Sequence, residues 1–113
     1  MTRLDWNVLD LDYEQEATRI CARLREILAR TLHRRGMVVA ISGGIDSSTC
    51  LGLAVRALGA DKVYALILPE RDSSDDSAAR ARILADHLGV RTQTHDIEPA
   101  LAAIGCYEQR DAA

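Results

Sequence analysis

Between residues 12 and 35, apolar side chains fall at Ala17, Ile20, Cys21, Leu24, Ile27, Leu28 and Leu32, with polar residues between them. Steps of three and four predict an amphipathic helix with one buried stripe. Asp10, Asp12, Glu14 and Glu16 stand at its start and Arg30, His33, Arg34 and Arg35 at its end, the signs that the helix dipole favours. Gly36 is the expected stop, and the basic end reads as a solvated terminus in preference to a phosphate patch. The pattern then changes to short unbroken apolar runs. Met37 to Ile41 and Val63 to Leu68 are rich in β-branched residues and bounded by glycine or proline, which predicts fully buried strands. Thr49 to Leu58, closed by Gly59, and about Ser77 to Leu88, closed by Gly89, predict helices. Val90 to Ile97 is more polar and reads as a third strand nearer a sheet edge. Pro99 can open a last short helix, with Leu101 and Ile104 inward, before Gly105.

A helix followed by alternating strands and helices predicts an α/β fold, a parallel sheet joined by right-handed crossovers. The expected organisation is an N-terminal segment, 1–11, and one domain, 12–113, with Trp6 packing the segment on the domain or on another chain. Three strands make a thin sheet for this topology, so the expectation is the front portion of a larger fold. A length of 113 residues allows one core. With aromatic residues at 4% and no Phe, that core must be Leu, Ile, Val and Ala.

The net charge of −3 argues against nucleic acid as a partner. The longest apolar runs are too short to span a bilayer, and the polar, acidic start leads us to expect no signal segment. Cys21, Cys50 and Cys106 form no CxxC pair and point to a reduced, cytoplasmic protein. Cys50 reads as a small buried hydrophobe, and no chemistry is assigned to the three. His87 and His95 have no partner at useful spacing for general-base work.

The chemistry is expected in Ser42, Gly43, Gly44, Ile45, Asp46, Ser47 and Ser48, a glycine-rich turn between a buried strand and a helix. In an open parallel sheet, ligands bind at the carboxyl ends of the strands, where this turn lies. Glycines without Cβ atoms let backbone N–H groups approach an anion, the serines add hydroxyls, and the helix presents its positive end. The spacing matches neither G-x-x-x-x-G-K-[ST] nor G-x-G-x-x-G. A carboxylate beside a phosphate is intelligible if Mg²⁺ lies between them, which makes Asp46 the candidate metal ligand. The alternative is a plain strand-to-helix turn in which Asp46 or Ser47 caps the helix.

SGGIDSS resembles the PP-loop of the N-type ATP pyrophosphatases, which include NAD synthetases, GMP synthetase, asparagine synthetases and tRNA sulfur-transfer enzymes. Ile67-Leu-Pro-Glu-Arg-Asp-Ser-Ser74, Asp96-Ile-Glu-Pro99 and Ile104-Gly-Cys-Tyr-Glu-Gln-Arg-Asp111 are similar to segments of one branch of NAD synthetases. The resemblance runs from about residue 10 to the end. It implies a three-layer Rossmann-like fold of the adenine nucleotide alpha hydrolase type, incomplete here at three strands. It implies ATP-dependent amidation of nicotinate adenine dinucleotide to NAD through an acyl adenylate, with ammonia as nitrogen source, and a homodimer. ATP and Mg²⁺ would be the cofactors. Ser42, Gly43, Gly44, Asp46, Ser47 and Ser48 would hold phosphates, with Ile45 in the same loop and Asp46 also on Mg²⁺. Ala40, Ile41 and Leu68 would line the adenosine pocket, and Arg71 is a candidate nucleotide contact. Two other readings stay open, a different adenylylating amidotransferase or sulfur transferase, and a non-catalytic nucleotide-binding or assembly module.

Overall fold

The computed structural model describes residues 5–113, in which three strands, β1 (Met37–Ala40), β2 (Val63–Ile67) and β3 (Arg91–Thr94), pair in parallel in the order β1-β2-β3. The register sets Met37 beside Val63 and Tyr64 beside Arg91. Helices α1 (Tyr13–Glu26), α2 (Ile45–Leu58), α3 (Asp75–Leu88), α4 (Glu98–Ala103) and α5 (Cys106–Ala112) complete the chain. The parallel α/β architecture and the polar third strand at a sheet edge agree with the hydrophobic pattern.

The core lies on one face of the sheet. Val63, Ala65 and Ile67 of the central strand meet Leu51 and Ala54 of α2 and Ala81 and Ala85 of α3 in one buried cluster. The alanines let helix and strand backbones approach, and Leu51, at 0% exposure, fills the space between them. Because both helices cover the same face, the expectation that β1 is wholly buried is corrected. Val38 is 65% exposed and Ala40 is exposed, while Met37 and Val39 face the helices. Among residues 5–113 no further helix covers the face that bears Val38, so the third layer expected of this fold is not supplied by the described residues.

Asp12 caps α1 by accepting the Gln15 N–H at 3.0 Å. The helix does not continue to Arg35 as its spacing suggested. It widens into a π-helical turn, Ile27–Thr31, closed by Leu32 N–H to Ile27 at 2.9 Å, and the chain reverses at His33 with φ +49°. Gly36 therefore does not stop a helix. A Cβ there would lie 2.5 Å from the Lys62 carbonyl oxygen, so its glycine lets the chain enter β1 against the backbone that precedes β2. Arg56 joins α2 to α1 through both Glu14 oxygens and through Thr18 Oγ1 at 3.2 Å. The hydrogen bond from Arg56, and then its charge, hold the Glu14 carboxyl below its ordinary value.

Three smaller expectations are also corrected. Cys50 is exposed on the outer side of α2, whereas Cys21 is the buried thiol. Trp6 is 96% exposed, so of its two expected partners the domain is not the one it packs on. Ile104 is exposed, because Gly105 at φ +80° does not end the fold but starts α5, which turns Tyr107 inward in its place. Among the described residues no helix is long and apolar enough to cross a membrane.

Candidate functional site

Where β1 ends, the Ile41 N–H donates to the Leu66 carbonyl at 2.8 Å and its side chain is buried, which fixes the direction in which the chain leaves the sheet. The turn that follows is built on Gly43. Its φ is +82°, and a Cβ would stand 2.5 Å from the Ser77 carbonyl oxygen and 3.2 Å from Arg80 Cβ. Only glycine satisfies both the left-handed backbone and the close approach to α3.

Gly44 is the N-cap of α2, with no side chain to accept from the first turn. The alternative in which Asp46 or Ser47 caps the helix is therefore not what forms. Helix α2 starts four residues earlier than its hydrophobic spacing indicated, at Ile45, so Asp46, Ser47 and Ser48 stand in its first turn. The first N–H groups of a helix have no intrahelical acceptor, and here none is supplied by a cap side chain. Ser47 Oγ accepts the Ser42 N–H at 3.2 Å and lies 3.3 Å from Ser42 Oγ, which cross-braces the turn. Ser48 Oγ is turned back onto the Gly44 carbonyl at 2.6 Å and braces the helix start. The Asp46 and Ile45 side chains are exposed beside the turn.

A cavity of about 220 Å³ opens at this edge, between the ends of β1 and β2 and the starts of α2 and α3. Of the residues expected from the sequence, Ala40, Ile41, Ser42, Ser47 and Leu68 line it. Gly43, Gly44, Ile45, Asp46 and Ser48 form the turn and first helical residues beside it. The rest of the wall is Ile67, Pro69, Ser73, Ser74, Ser77 and Ala78. The sequence pattern assigns none of those serines to the site. Ser74 is the cap of α3, accepting the Ser77 N–H at 3.2 Å, and it lines the cavity as well. The available signal was their position just after the second strand, at the same carboxyl edge as the first turn. The cavity thus combines apolar strand ends with five serines and the start of a helix, which suits a ligand with one flat apolar part and one anionic part.

Arg71 is not part of that wall. Its guanidinium lies 3.9 Å over the Tyr107 ring and its Nε donates to Glu98 Oε1 at 3.2 Å. Tyr107 is buried, and burial pushes its phenol above the ordinary value; the Arg71 N–H opposes this and the bond to Glu70 adds to it.

A sequence profile of the NAD synthase family matches residues 16–112. The NH(3)-dependent NAD(+) synthetase of Rhizobium meliloti (strain 1021) is 48% identical over 106 residues, which are 94% of this chain and 31% of that protein. Among solved structures, the glutamine-dependent NAD+ synthetase from Acinetobacter baumannii in complex with adenosine diphosphate superposes with a TM-score of 0.75 at 27% identity. The match covers 80% of this chain and 17% of that one. The NMN synthetase from Francisella tularensis gives a TM-score of 0.76 at 26% identity, over 88% of this chain and 41% of that one. The chain spans about a third of the length of the curated relatives it matches.

Proposed function

The chain belongs to the NAD synthase family, and on that premise we propose that its serine-lined cavity binds ATP for the amidation of nicotinate adenine dinucleotide to NAD. The observation that carries this reading is the Gly43 turn, which sets a helix N-terminus without a side-chain cap against a cavity with apolar strand ends. In the reaction, the substrate carboxylate attacks the α-phosphorus of ATP and pyrophosphate leaves. Ammonia then attacks the acyl carbon, AMP leaves, and the amide is NAD.

The leaving pyrophosphate carries the developing charge. First-turn N–H groups of α2 and the Ser42 and Ser47 hydroxyls supply fixed donors for it, which is electrostatic stabilisation without a protein nucleophile. Ala40, Ile41 and Leu68 offer strand-end surface to the adenosine. Gly43, Gly44, Ile45 and Ser48 shape and brace the turn. Arg71 stands outside the cavity wall with its guanidinium over Tyr107, and is the candidate contact for the part of the nucleotide that extends beyond the cavity.

The residues present fit a magnesium ion bound mainly by phosphate. No group of three or more His, Cys, Asp or Glu among the described residues could hold a metal by itself, and Asp46 offers one exposed carboxylate at the turn. Magnesium is commonly held by one or two carboxylates together with substrate phosphates and water. Bound there, it would offset phosphate charge during pyrophosphate departure. The family resemblance extends the reading to a homodimer that uses ammonia, and the acidic charge balance and short apolar runs extend it to a cytoplasmic protein without a nucleic acid or membrane partner.

The test is AMP release in a form of the chain extended at its C-terminus to the length of its relatives. AMP and pyrophosphate should appear in equal amounts and require both nicotinate adenine dinucleotide and ammonium. Because the Francisella tularensis neighbour is an NMN synthetase, nicotinate mononucleotide is the essential comparison. Release with that acceptor and not with the dinucleotide would overturn the substrate assignment.

A further inference from the structure

Four successive residues after β2 are each tied to the chain's last two helices or to the residue before them. The Pro69 carbonyl accepts the Ile97 N–H at 3.0 Å. Glu70 Oε2 accepts the Tyr107 hydroxyl at 2.8 Å, and that hydroxyl accepts the Arg71 N–H at 3.2 Å. The Arg71 side chain pairs with Glu98, and Asp72 pairs with Arg110. The Arg71 and Arg110 guanidinium carbons lie 3.9 and 5.3 Å from the Tyr107 ring centroid. The ion pairs are exposed and contribute little singly. Tyr107 is buried, and its one hydroxyl serves as both donor and acceptor for the loop.

The same loop turns back on itself next to the cavity. Glu70 Oε1 accepts the Asp72 N–H at 3.0 Å, the Ser73 N–H reaches the Glu70 carbonyl at 3.0 Å, and Ser73 Oγ accepts the Glu70 N–H at 3.0 Å. Glu70 is thus the hub of the turn, with one carboxylate oxygen on the turn's own backbone and the other on Tyr107. Ser73 and Ser74 at the end of the turn, and Leu68 and Pro69 at its start, all line the cavity.

We infer that Tyr107 is a positioning residue, which acts through Glu70 to fix the Glu70–Ser73 turn and thereby the wall of the cavity against which the nucleotide is held. This rests on the reading of the cavity as a nucleotide site. Without the hydroxyl, the turn keeps its internal bonds and its exposed ion pairs but loses the buried link that sets where it stands relative to α5.

The experiment uses the 113-residue chain with Tyr107→Phe, which keeps the buried ring, together with Glu70→Gln and the double variant. Amide hydrogen exchange at Asp72 and Ser73 reads the turn, exchange at Leu51 reads the core, and titration with Mg-ATP reads the site. Tyr107→Phe should speed exchange at Asp72 and Ser73 about tenfold and weaken ATP about fivefold, as suits loss of one hydrogen bond to a charged group. The Leu51 amide should not change, and the double variant should bind ATP no more weakly than Tyr107→Phe. Unchanged exchange at the turn overturns the inference, as does equal acceleration at Leu51, which would make Tyr107 a support of the whole fold. Faster exchange with undiminished ATP affinity overturns the positioning role alone. If the unsubstituted chain binds no ATP while the turn still responds, the nucleotide reading is overturned and the positioning role with it.

Discussion

Gly43→Ala is expected to destabilise the chain by about 2–4 kcal/mol and to weaken Mg-ATP by about tenfold or more. Two costs act together. A non-glycine residue in the left-handed region loses about 1–2 kcal/mol from Cβ crowding alone. The new methyl would also stand 2.5 Å from the Ser77 carbonyl oxygen, which is backbone on the first turn of α3 and cannot rotate aside. Relief requires the turn and the start of α3 to part. That movement separates Ser42 and Ser47 from Ser74 and Ser77 across the cavity, so stability and binding should fall in the same variant. Denaturant unfolding reads the first and calorimetric titration the second. Gly44→Ala is the control, because a Cβ there meets only Ser42 Oγ at 3.4 Å and φ is −83°. Equal losses from both substitutions would mean that the approach to Ser77 is not what makes Gly43 special.

Asp46→Asn is expected to have the opposite profile, with a large effect on binding and little on folding. Its carboxylate is exposed on the first turn of α2, where the dipole favours a negative charge by about 0.3–1 kcal/mol. That sum bounds the stability loss. With magnesium present, ATP affinity should fall about tenfold, equivalent to about 1.4 kcal/mol. Without magnesium the sign should reverse. A carboxylate near an unneutralised phosphate repels it, so the asparagine variant should bind ATP at least as tightly as the unsubstituted chain when the metal is chelated. The crossing of the two affinities separates a metal ligand from a residue that only shapes the turn. An equal loss with and without magnesium would exclude the metal role.

The sequence made the positions of the elements legible wherever local chemistry decides them. Gly59 and Gly89, both at positive φ, end their helices where expected, and the run from Val63 is the central strand to Ile67, buried at Val63, Ala65 and Ile67 but only half-buried at Tyr64 and Leu66. The turn after β1 was legible because its signal is short and local: two glycines, hydroxyls and one acid between a strand and a helix. What depended on distant parts of the chain was not. The exposure of Val38 follows from α2 and α3 sharing one face, which the apolar run at β1 does not encode. Gly36 looked like a helix stop because glycine serves both as a stop and as a place for close approach, and only the Lys62 backbone distinguishes them. Four of the eleven wall residues, Leu68, Pro69, Ser73 and Ser74, come from a loop whose serines carry no motif, and its link to Tyr107 joins residues 37 positions apart. Arg71 was legible as an arginine at the right edge of the sheet, but its stacking on Tyr107 depends on α5, a helix hidden behind Gly105.

If the turn from Ser42 to Ser48 holds the phosphates of ATP, calorimetric titration of the 113-residue chain with ATP, with and without magnesium, reads it directly. Saturable binding of one ATP per chain is expected, tighter with magnesium and displaced by pyrophosphate. No saturable binding at millimolar Mg-ATP, in a chain shown to be folded, would contradict it.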